Sequence, residues 1–455
     1  MRSQSYWPFA PGNRMDCPMT QKPYQRYKES GIEWIGKVPE HWEMKRLKHV
    51  ASLNMGQSPS SEDCNQEGDG LPFLQGTADF GKVYPLPKHY CPVPNKLAHK
   101  NDILFSVRAP VGEINDADQI YGIGRGLCAV TPNTGNSNRY IFYCLQIIKE
   151  ELLSVATGST YEAVSIEQIR NSRCLLPLFE EQLSIASFLD RETSHIDTLI
   201  SEKERLISLL QEYRQALISH VVTKGLDPNV KMKDSGVEWL GEIPNEWEMV
   251  RIASCFREIN QTGGNDLPIL SLSIHDGISD RELDENELDR KVTRSNDRTI
   301  YKRVSEGDLV YNMMRAWQGA FGMAKVAGIV SPAYIVARPI KIIRADYIER
   351  LLRTEQAIEE MRGRSHGVTD FRLRLYWDEF KNLKVCIPPL EEQGTITAFL
   401  DREIDRIDSL IDKAHRAIEL LQEYRFSLIT AAVTGKIDVR EVVPSGSEKR
   451  EIAHG

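Results

Sequence analysis

The segment 182–227 decides the architecture of this chain, because it occurs a second time at 393–438. The first copy reads QLSIASFLDRETSHIDTLISEKERLISLLQEYRQALISHVVTKGLD and the second reads QGTITAFLDREIDRIDSLIDKAHRAIELLQEYRFSLITAAVTGKID. They are identical at 24 of 46 positions. Neither contains proline, neither has glycine inside its periodic part, and each reaches a glycine near its end, Gly225 or Gly435. This pattern predicts two long helices with C-terminal glycine stops.

The apolar side chains of both predicted helices repeat at heptad spacing. About 40 residues at ~1.5 Å each make a helix of roughly 60 Å, which needs a partner to bury its apolar stripe. An intramolecular pair is favoured because both copies are tethered in one chain. A coiled coil with another molecule is the alternative. The predicted seam residues are Leu189, Ile196, Leu199, Leu210, Tyr213, Leu400, Ile407, Leu410, Leu421 and Tyr424.

A second repeated block precedes each helix. Residues 28–47 and 233–252 are identical at eleven of 20 positions and share the pattern Ser-Gly-x-Glu-Trp-x-Gly-x-x-Pro-x-x-Trp. The chain is therefore interpreted as a tandem duplication in which block, variable region and helix occur twice. The variable regions, 48–181 and 253–392, contain short β-type runs, turns and helical stretches, which predicts mixed α/β domains.

The predicted fold class is α/β (α+β), with two globular domains separated by two long antiparallel coiled-coil helices in a pseudo-two-fold tandem duplication. The predicted segments are a disordered N-terminal extension (1–20), a first domain (21–181), a spacer helix (182–227), a second domain (228–392), a second spacer helix (393–438) and a tail (439–455).

Length and composition predict a soluble cytoplasmic protein of two or three domains. The chain has 455 residues and no apolar run of membrane-spanning length. Its eight scattered cysteines show no metal-ligand or redox spacing and indicate reduced thiols. The net charge is −8, and segments 180–227 and 391–438 each carry −4. The remaining residues are neutral overall, which leaves room for local basic patches.

No catalytic signature is present in the sequence. The chain lacks the phosphate-binding loop Gly-x-x-x-x-Gly-Lys-Ser/Thr and the zinc motif His-Glu-x-x-His, and the run 122–126 has the wrong spacing for a dinucleotide fingerprint. Residues 43–45 supply only half of a nuclease motif, and the repeated block lacks the corresponding lysine. The sequence therefore predicts a chain that is not an enzyme and holds no metal.

Cations and polar turns in the variable regions predict contacts with nucleic acid. Clusters of lysine and arginine neutralise phosphates, whereas base reading requires a few Arg, Asn, Gln or Ser side chains on rigid turns. Any one arginine could instead join a solvated ion pair, and Arg108 or Arg315 could pin its own loop. The predicted DNA-binding residues are Gln75, Gly76, Lys100, Arg108, Arg125, Ser159, Thr160, Tyr161, Ser271, Arg294, Arg298, Arg315, Arg364, Ser365, His366 and Arg372.

The order of these motifs resembles the specificity subunit of type I restriction–modification systems. The resemblance rests on the repeated blocks, the Gly-Asp-Leu-Val strand at 307–310, and the runs LFEEQ (178–182) and PLEEQ (389–393) that lead into FLDRE. It extends from about residue 24 to 438. It implies that the variable domains are target recognition domains, each binding one half of a split, asymmetric site in double-stranded DNA.

The resemblance also implies partners and cofactors. The helices would set the spacing of the half-sites and dock methyltransferase (M) subunits for adenine methylation or restriction, in defence against foreign DNA. The expected partners are two M subunits and two restriction/translocase (R) subunits, with no membrane. S-adenosylmethionine, ATP and Mg would be bound by those partners, and no cofactor by this chain. The alternative is a coiled-coil protein-interaction scaffold without DNA specificity.

Overall fold

The computed structural model describes residues 23–60, 63–155, 163–264, 266–274, 277–283, 297–367 and 373–440, with only the backbone at 150, 151 and 153–155. The predicted N-terminal extension and the segment 441–455 of the predicted tail lie outside these residues. The chain divides into two units. Unit 1 comprises the residues up to Glu202 together with those from Ala417 onward, and unit 2 comprises Lys203–Arg416. The finer domain boundaries given above remain a prediction.

Unit 1 combines short strands with helices. Its described strands are β1 (Tyr27–Glu29), β2 (Lys37–Pro39), β3 (Glu43–Arg46), β4 (Ala51–Met55), β5 (Leu71–Leu74), β6 (His89–Cys91), β7 (Leu97–Ala98), β8 (Ile103–Ser106), β9 (Ile114–Asp116), β10 (Tyr121–Ile123), β11 (Leu127–Pro132) and β12 (Arg173–Leu176). The helices that begin in this unit are α1 (Asn138–Val155), α2 (Ile166–Asn171) and α3 (Phe179–Lys224).

Two four-stranded sheets form the centre of unit 1, in the orders β6-β5-β10-β7 and β4-β11-β8-β9. Strand β8 is buried on both faces, and its alternate side chains enter different apolar clusters because successive residues of a strand point to opposite sides. Ile103 and Phe105 join the larger cluster beside the helices. Leu104 joins the smaller cluster beneath β10. The second sheet therefore links the helix-bound part of the unit to the first sheet.

Unit 2 repeats this design. Its described strands are β13 (Met232–Asp234), β14 (Glu242–Pro244), β15 (Glu248–Arg251), β16 (Phe256–Ile259), β17 (Leu270–Ser273), β18 (Gly277–Glu282), β19 (Lys302–Val304), β20 (Leu309–Asn312), β21 (Phe321–Met323), β22 (Gly328–Val330), β23 (Tyr334–Pro339) and β24 (Lys384–Ile387). Its helices are α4 (Ala345–Leu352), α5 (Glu355–Arg364), α6 (Trp377–Phe380) and α7 (Leu390–Val433), of which α7 continues into unit 1. The sheet β16-β23-β20-β21 has the same strand order as β4-β11-β8-β9.

The two long helices confirm the periodicity argument. Helices α3 and α7 each begin three residues before the predicted segments. Gly225 directly follows α3 with φ +80°, and Gly435 follows α7 with φ +68°. This left-handed conformation is easily adopted only by glycine and ends the helix. No described helix combines the length and the hydropathy that crossing a bilayer requires.

The helices pack on each other within each unit, antiparallel. In unit 1 the first part of α3 shares an apolar cluster with the end of α7, and Asp197 pairs with Arg425 at 3.1 Å. In unit 2 the end of α3 packs with the start of α7, and Arg214 pairs with Asp408 at 3.4 Å. The two ion pairs are equivalent. Asp408 lies 211 residues after Asp197 and Arg425 lies 211 residues after Arg214, which is the offset between the two copies of the helix. The intramolecular prediction is therefore confirmed.

The predicted seam residues differ in burial. Four of them are buried, namely Leu189, Ile196, Leu400 and Ile407. Four are half-buried, namely Leu199, Leu210, Leu421 and Tyr424. Two are exposed, Tyr213 at 56% and Leu410 at 42%. The helix pair thus buries one side of each stripe and leaves apolar side chains on its outer face.

A tryptophan and a carboxylate join each repeated block to a long helix. Trp42 Nε1 donates to Glu181, on the first turn of α3, at 3.1 Å. Trp247 Nε1 donates to Glu392, on the first turn of α7, at 3.0 Å. Both indole rings are buried. Trp42 and Trp247 therefore pack each repeated block onto a long helix.

A lysine at the end of α3 and another just after α7 also contact the repeated blocks. Lys224 and Lys436 both donate to backbone carbonyls of a repeated block, although lysine and glycine are transposed between the two copies (Lys224-Gly225 and Gly435-Lys436). The acceptors are the carbonyls of Leu240 and Glu242 in unit 2 and of the equivalent Ile35 and Lys37 in unit 1. The contact is thus kept while the order of the two residues is not.

Candidate nucleic-acid interface

Four loops of unit 1, one of them at Ser58–Ser60, meet around an open cleft of about 620 Å³. Four of the predicted DNA-binding residues, Gln75, Gly76, Arg108 and Arg125, line it together. They come from positions up to 50 residues apart in the chain. The structure therefore brings these separate predictions to one place.

The parallel pairing of β5 with β10 explains how two of these loops meet. Leu74 lies opposite Ile123 at the ends of the two strands. The carboxyl ends of parallel strands lie at the same edge of a sheet, so the following residues Gln75 and Arg125 are neighbours. The amide of Gly124 donates to the carbonyl of Leu74 at 2.8 Å and holds the two loops together.

The third loop is placed by the second sheet. Strand β11 begins directly after the Arg125 turn and pairs antiparallel with β8. One step beyond this ladder, the amide of Val107 donates to the carbonyl of Gly126 at 2.9 Å. Arg108 consequently leaves its strand beside the turn that carries Arg125.

Internal hydrogen bonds fix the backbone of the cleft. The buried carboxylate of Asp79 accepts from the amide of Gln75 at 2.8 Å. The amide of Arg125 donates to Ser58 Oγ at 3.3 Å. A Cβ at Gly126 would lie 2.5 Å from the carbonyl oxygen of Gln75, so the two loops are in direct backbone contact. The side chains that enter the cleft thus stand on an ordered frame.

Two arginines and one glutamine of the cleft are open to solvent. Gln75, Arg108 and Arg125 are exposed. Neither guanidinium forms an ion pair with any residue that the structure describes. The cleft therefore presents two positive charges, arginine donor forks and one amide, which is chemistry suited to phosphates and base edges. Across the described parts of the chain, no cluster of His, Cys, Asp and Glu could hold a metal ion.

Unit 2 contains the same turn with different chemistry. The amide of Leu127 closes the unit 1 turn on the carbonyl of Gly124 at 3.0 Å, and the amide of Tyr334 closes the unit 2 turn on Ser331 at 2.9 Å. Pro332 lies one residue after the acceptor in unit 2, as Arg125 does in unit 1, so the two residues occupy equivalent positions. The two units share a backbone frame but present different side chains from it.

The comparisons with known proteins agree with this two-unit frame. A family described as the type I restriction modification DNA specificity domain matches residues 39–209. This match lies within the first of the two repeats of the chain. The putative type I restriction enzyme MjaX specificity subunit of Methanocaldococcus jannaschii is 39% identical over 175 residues, which span 38% of this chain and 41% of that relative. The MjaVIII specificity subunit of the same organism is 23% identical over 92% of this chain and 98% of its own length.

A solved structure shares the fold over nearly the whole chain. It comes from a study of the structural basis of complex assembly and conformational transition of the type I R-M system. The TM-score is 0.64 at 16% identity, and the match covers 87% of this chain and 98% of the other. The resemblance to type I specificity subunits is therefore confirmed by the matched domain, the relatives and the shared fold together.

Several other residues predicted to bind DNA have partners within the chain. Arg298 pairs with Glu282 at 3.5 Å. Arg364 pairs with Glu360, four residues earlier on α5, at 2.6 Å. For these two arginines the solvated-ion-pair alternative describes the structure. His366, Ser365, Arg315 and Ser271 also have internal partners, respectively Glu379 (3.4 Å), the carbonyl of Met361 (2.8 Å), Gln318 (3.0 Å) and, through its amide, Ser279 (2.9 Å).

The remaining predicted residues lie away from the cleft or outside the description. Lys100 is exposed, but it precedes β8 whereas Arg108 follows it, so the two lie at opposite ends of that strand. The other five residues, Ser159, Thr160, Tyr161, Arg294 and Arg372, lie outside the described residues.

Sequence reasoning missed two residues that shape the cleft, Ser58 and Asp79. Asp79 is a buried acid in a short 3-10 turn, four residues after Gln75, a spacing that permits a side-chain bond to the backbone. Ser58 lies in a Gln-Ser-Pro-Ser run that is typical of turns. The local sequence predicts these turns, but it does not show which strands lie beside them in the folded chain.

Two glycines of the cleft are expected to respond differently to alanine. Gly126→Ala should lower the free energy of unfolding by about 1–3 kcal/mol, because its Cβ would overlap the Gln75 carbonyl. Gly76→Ala should change it by about 0.5 kcal/mol or less, because a Cβ there meets no atom within 4 Å. Urea unfolding of the full chain measures both. Equal losses for the two variants would contradict this packing.

Proposed function

We propose that this chain is the non-catalytic DNA-recognition subunit of a type I restriction–modification complex. The observation that carries the proposal is the position of the cleft. Its lining residues, from Ser58 to Gly126, lie entirely within the 39–209 match to the DNA specificity domain, and its two arginines form no ion pairs with described residues. A positive concave surface with fixed turns is what base reading requires.

Each unit reads one half of a bipartite, asymmetric DNA target. The units share the strand order of their central sheets and the closing hydrogen bond of the cleft turn. They differ in the residues that project from that frame, such as Arg125 and Pro332. A shared backbone frame that presents different side chains supports two half-sites of different sequence.

The long helices set the spacing between half-sites and dock the M subunits. Leu206, Leu209 and Tyr213 are exposed on α3 at 41%, 51% and 56%. Their spacing of three and four residues places them on one helix face. A row of exposed apolar side chains is typical of a protein interface. Two M subunits and two R subunits complete the proposed assembly, and these partners bind S-adenosylmethionine, ATP and Mg.

Methylation mapping tests the proposed function. Co-expression of this chain with its M subunit in a host without adenine methylation should produce methyladenine at one bipartite sequence. The purified chain alone, with S-adenosylmethionine or with ATP and Mg, should neither methylate nor cleave DNA, because no catalytic motif was found in its sequence. Omitting the chain from the co-expression is the control.

The two rival readings give different results in the same experiment. A coiled-coil scaffold without DNA specificity predicts methylation that does not depend on sequence, or none. An enzyme predicts methylation or cleavage by the purified chain alone. Either result would contradict the proposed function.

A further inference from the structure

We propose that the cleft of unit 1 is a base-reading site in which Arg125 reads a guanine, Gln75 reads a neighbouring base pair and Arg108 holds a phosphate. This inference rests on the proposed function and deepens it. Nothing about family membership assigns these three roles. They follow from the way each side chain is supported.

Arg125 has the most rigid support of the three. Its turn connects β10 directly to β11, and its own amide donates to Ser58 Oγ. The glycines on either side are in close backbone contact with the neighbouring loop, at 3.2 Å from Leu74 and 2.5 Å from Gln75 for a Cβ placed there. A guanidinium fixed at its base can present its fork to the O6 and N7 atoms of guanine without losing much conformational entropy.

Gln75 lies beside this turn and offers the complementary chemistry. Its side chain is exposed, whereas its amide is held by the buried Asp79. A glutamine amide can donate and accept at once, which matches the N6 and N7 atoms of adenine. The next residue, Gly76, leaves open space where a Cβ would be, so a base edge can approach the backbone closely.

Arg108 stands on a more open part of the cleft. It and the next two residues, Ala109 and Pro110, are exposed, and no packed glycine frames it. Its backbone is paired on one side with Ala163. A long, less constrained cation at the rim suits a phosphate, which demands charge more than fixed geometry.

The contrast with unit 2 confines the contact made by Arg125 to one half-site. The equivalent turn carries Pro332, which has neither charge nor side-chain donor, and the Nε of Arg315 is occupied by Gln318 at 3.0 Å. A change at Arg125 should therefore alter the half of the target read by unit 1 and leave the other half unchanged.

Lysine substitutions separate base reading from phosphate binding. Lysine keeps the charge but loses the planar fork, so it preserves a phosphate contact and weakens a guanine contact. In complexes of the full chain with its M subunit, Arg125→Lys should reduce discrimination at one position of one half-site roughly 10- to 100-fold. Arg108→Lys should retain wild-type sequence preference and affinity.

Alanine substitutions and the salt dependence of DNA affinity test the same three roles. Arg108→Ala should weaken binding to all DNA sequences alike and lower the slope of log affinity against log salt by about one. Gln75→Ala should relax the preference at a position next to the one affected by Arg125. The matched control is Arg170→Ala, an exposed arginine on α2 that pairs only with Glu167 among the ion pairs described, and it should change neither specificity nor salt slope.

The outcomes distinguish the inference from the function it rests on. If the wild-type complex methylates no defined bipartite site, the proposed function fails and the inference fails with it. If the wild-type complex is site-specific but Arg125→Lys methylates the same sequences with the same selectivity, the inference alone is overturned. A change in both half-sites, with thermal unfolding like that of the wild type, would also overturn it. Relaxation at one position of one half-site supports it.

Discussion

Inserting one heptad into each long helix, after Glu202 in α3 and after Arg416 in α7, is expected to widen the unspecified gap between half-sites by about three base pairs. Seven residues lengthen a helix by roughly 10.5 Å at ~1.5 Å per residue, and B-DNA rises about 3.4 Å per base pair. A heptad restores the apolar stripe, so Asp197–Arg425 and Arg214–Asp408 each keep their pairing on their own side of the insertion. Both half-site sequences should be unchanged.

Methylation mapping of the doubly extended chain measures the gap. Inserting the same heptad into α3 alone is the control, because it lengthens only one of the two helices that pack on each other in each unit, and it should lower stability without producing a longer functional gap. A wild-type gap in a fully active double variant would contradict the proposal that the helices set the spacing.

Replacing Glu181 by alanine is expected to lower the free energy of unfolding of unit 1 by about 3 kcal/mol. This carboxylate is buried and accepts from Tyr24 Oη at 2.7 Å and Trp42 Nε1 at 3.1 Å, and it pairs with His41 Nε2 at 2.8 Å. Its removal would leave buried donors without an acceptor and separate the repeated block from α3. Urea unfolding followed by tryptophan fluorescence measures the loss.

The second unit supplies a matched control for this substitution. Glu392 occupies the equivalent position, is half-buried, and accepts from Trp247 at 3.0 Å, without counterparts of the Tyr24 and His41 contacts among the described residues. Glu392→Ala should therefore cost about 1–2 kcal/mol, less than Glu181→Ala. Equal losses would show that the indole bond carries the whole contribution and that Tyr24 and His41 add nothing.

The pH dependence of the Tyr24 contact has a defined sign. Burial, followed by the hydrogen bond and charge of Glu181, raises the pKa of Tyr24 above its ordinary value. The contribution of this phenol to stability is then fully present below the unfolded pKa of about 10 and is lost as pH rises above that value. Comparisons of Glu181 variants at pH 7 to 8 therefore keep the phenol protonated as a donor.

The sequence alone determined the two long helices, their glycine stops and the duplication. These features depend on local periodicity and on repeats within the chain, both of which are visible without tertiary structure. The pairing of Arg364 with Glu360 was also accessible, since the two residues lie one helical turn apart on α5. The heptad pattern identified the stripe but did not show which of its residues face solvent, because that depends on how wide a face the second helix covers.

Only the tertiary structure decided which polar residues line one cleft together. Gln75 and Arg125 are 50 residues apart, and nothing local to either indicates that β5 and β10 pair in parallel. Arg298 and Arg125 were both predicted to bind DNA, but the fold places Glu282 3.5 Å from Arg298. Long-range strand pairing and the positions of acidic neighbours are properties of the folded chain. They determine which arginines pair with a carboxylate of the chain and which line the cleft without an ion pair to a described residue, because an ion pair forms only where the fold brings the two charges within about 4 Å.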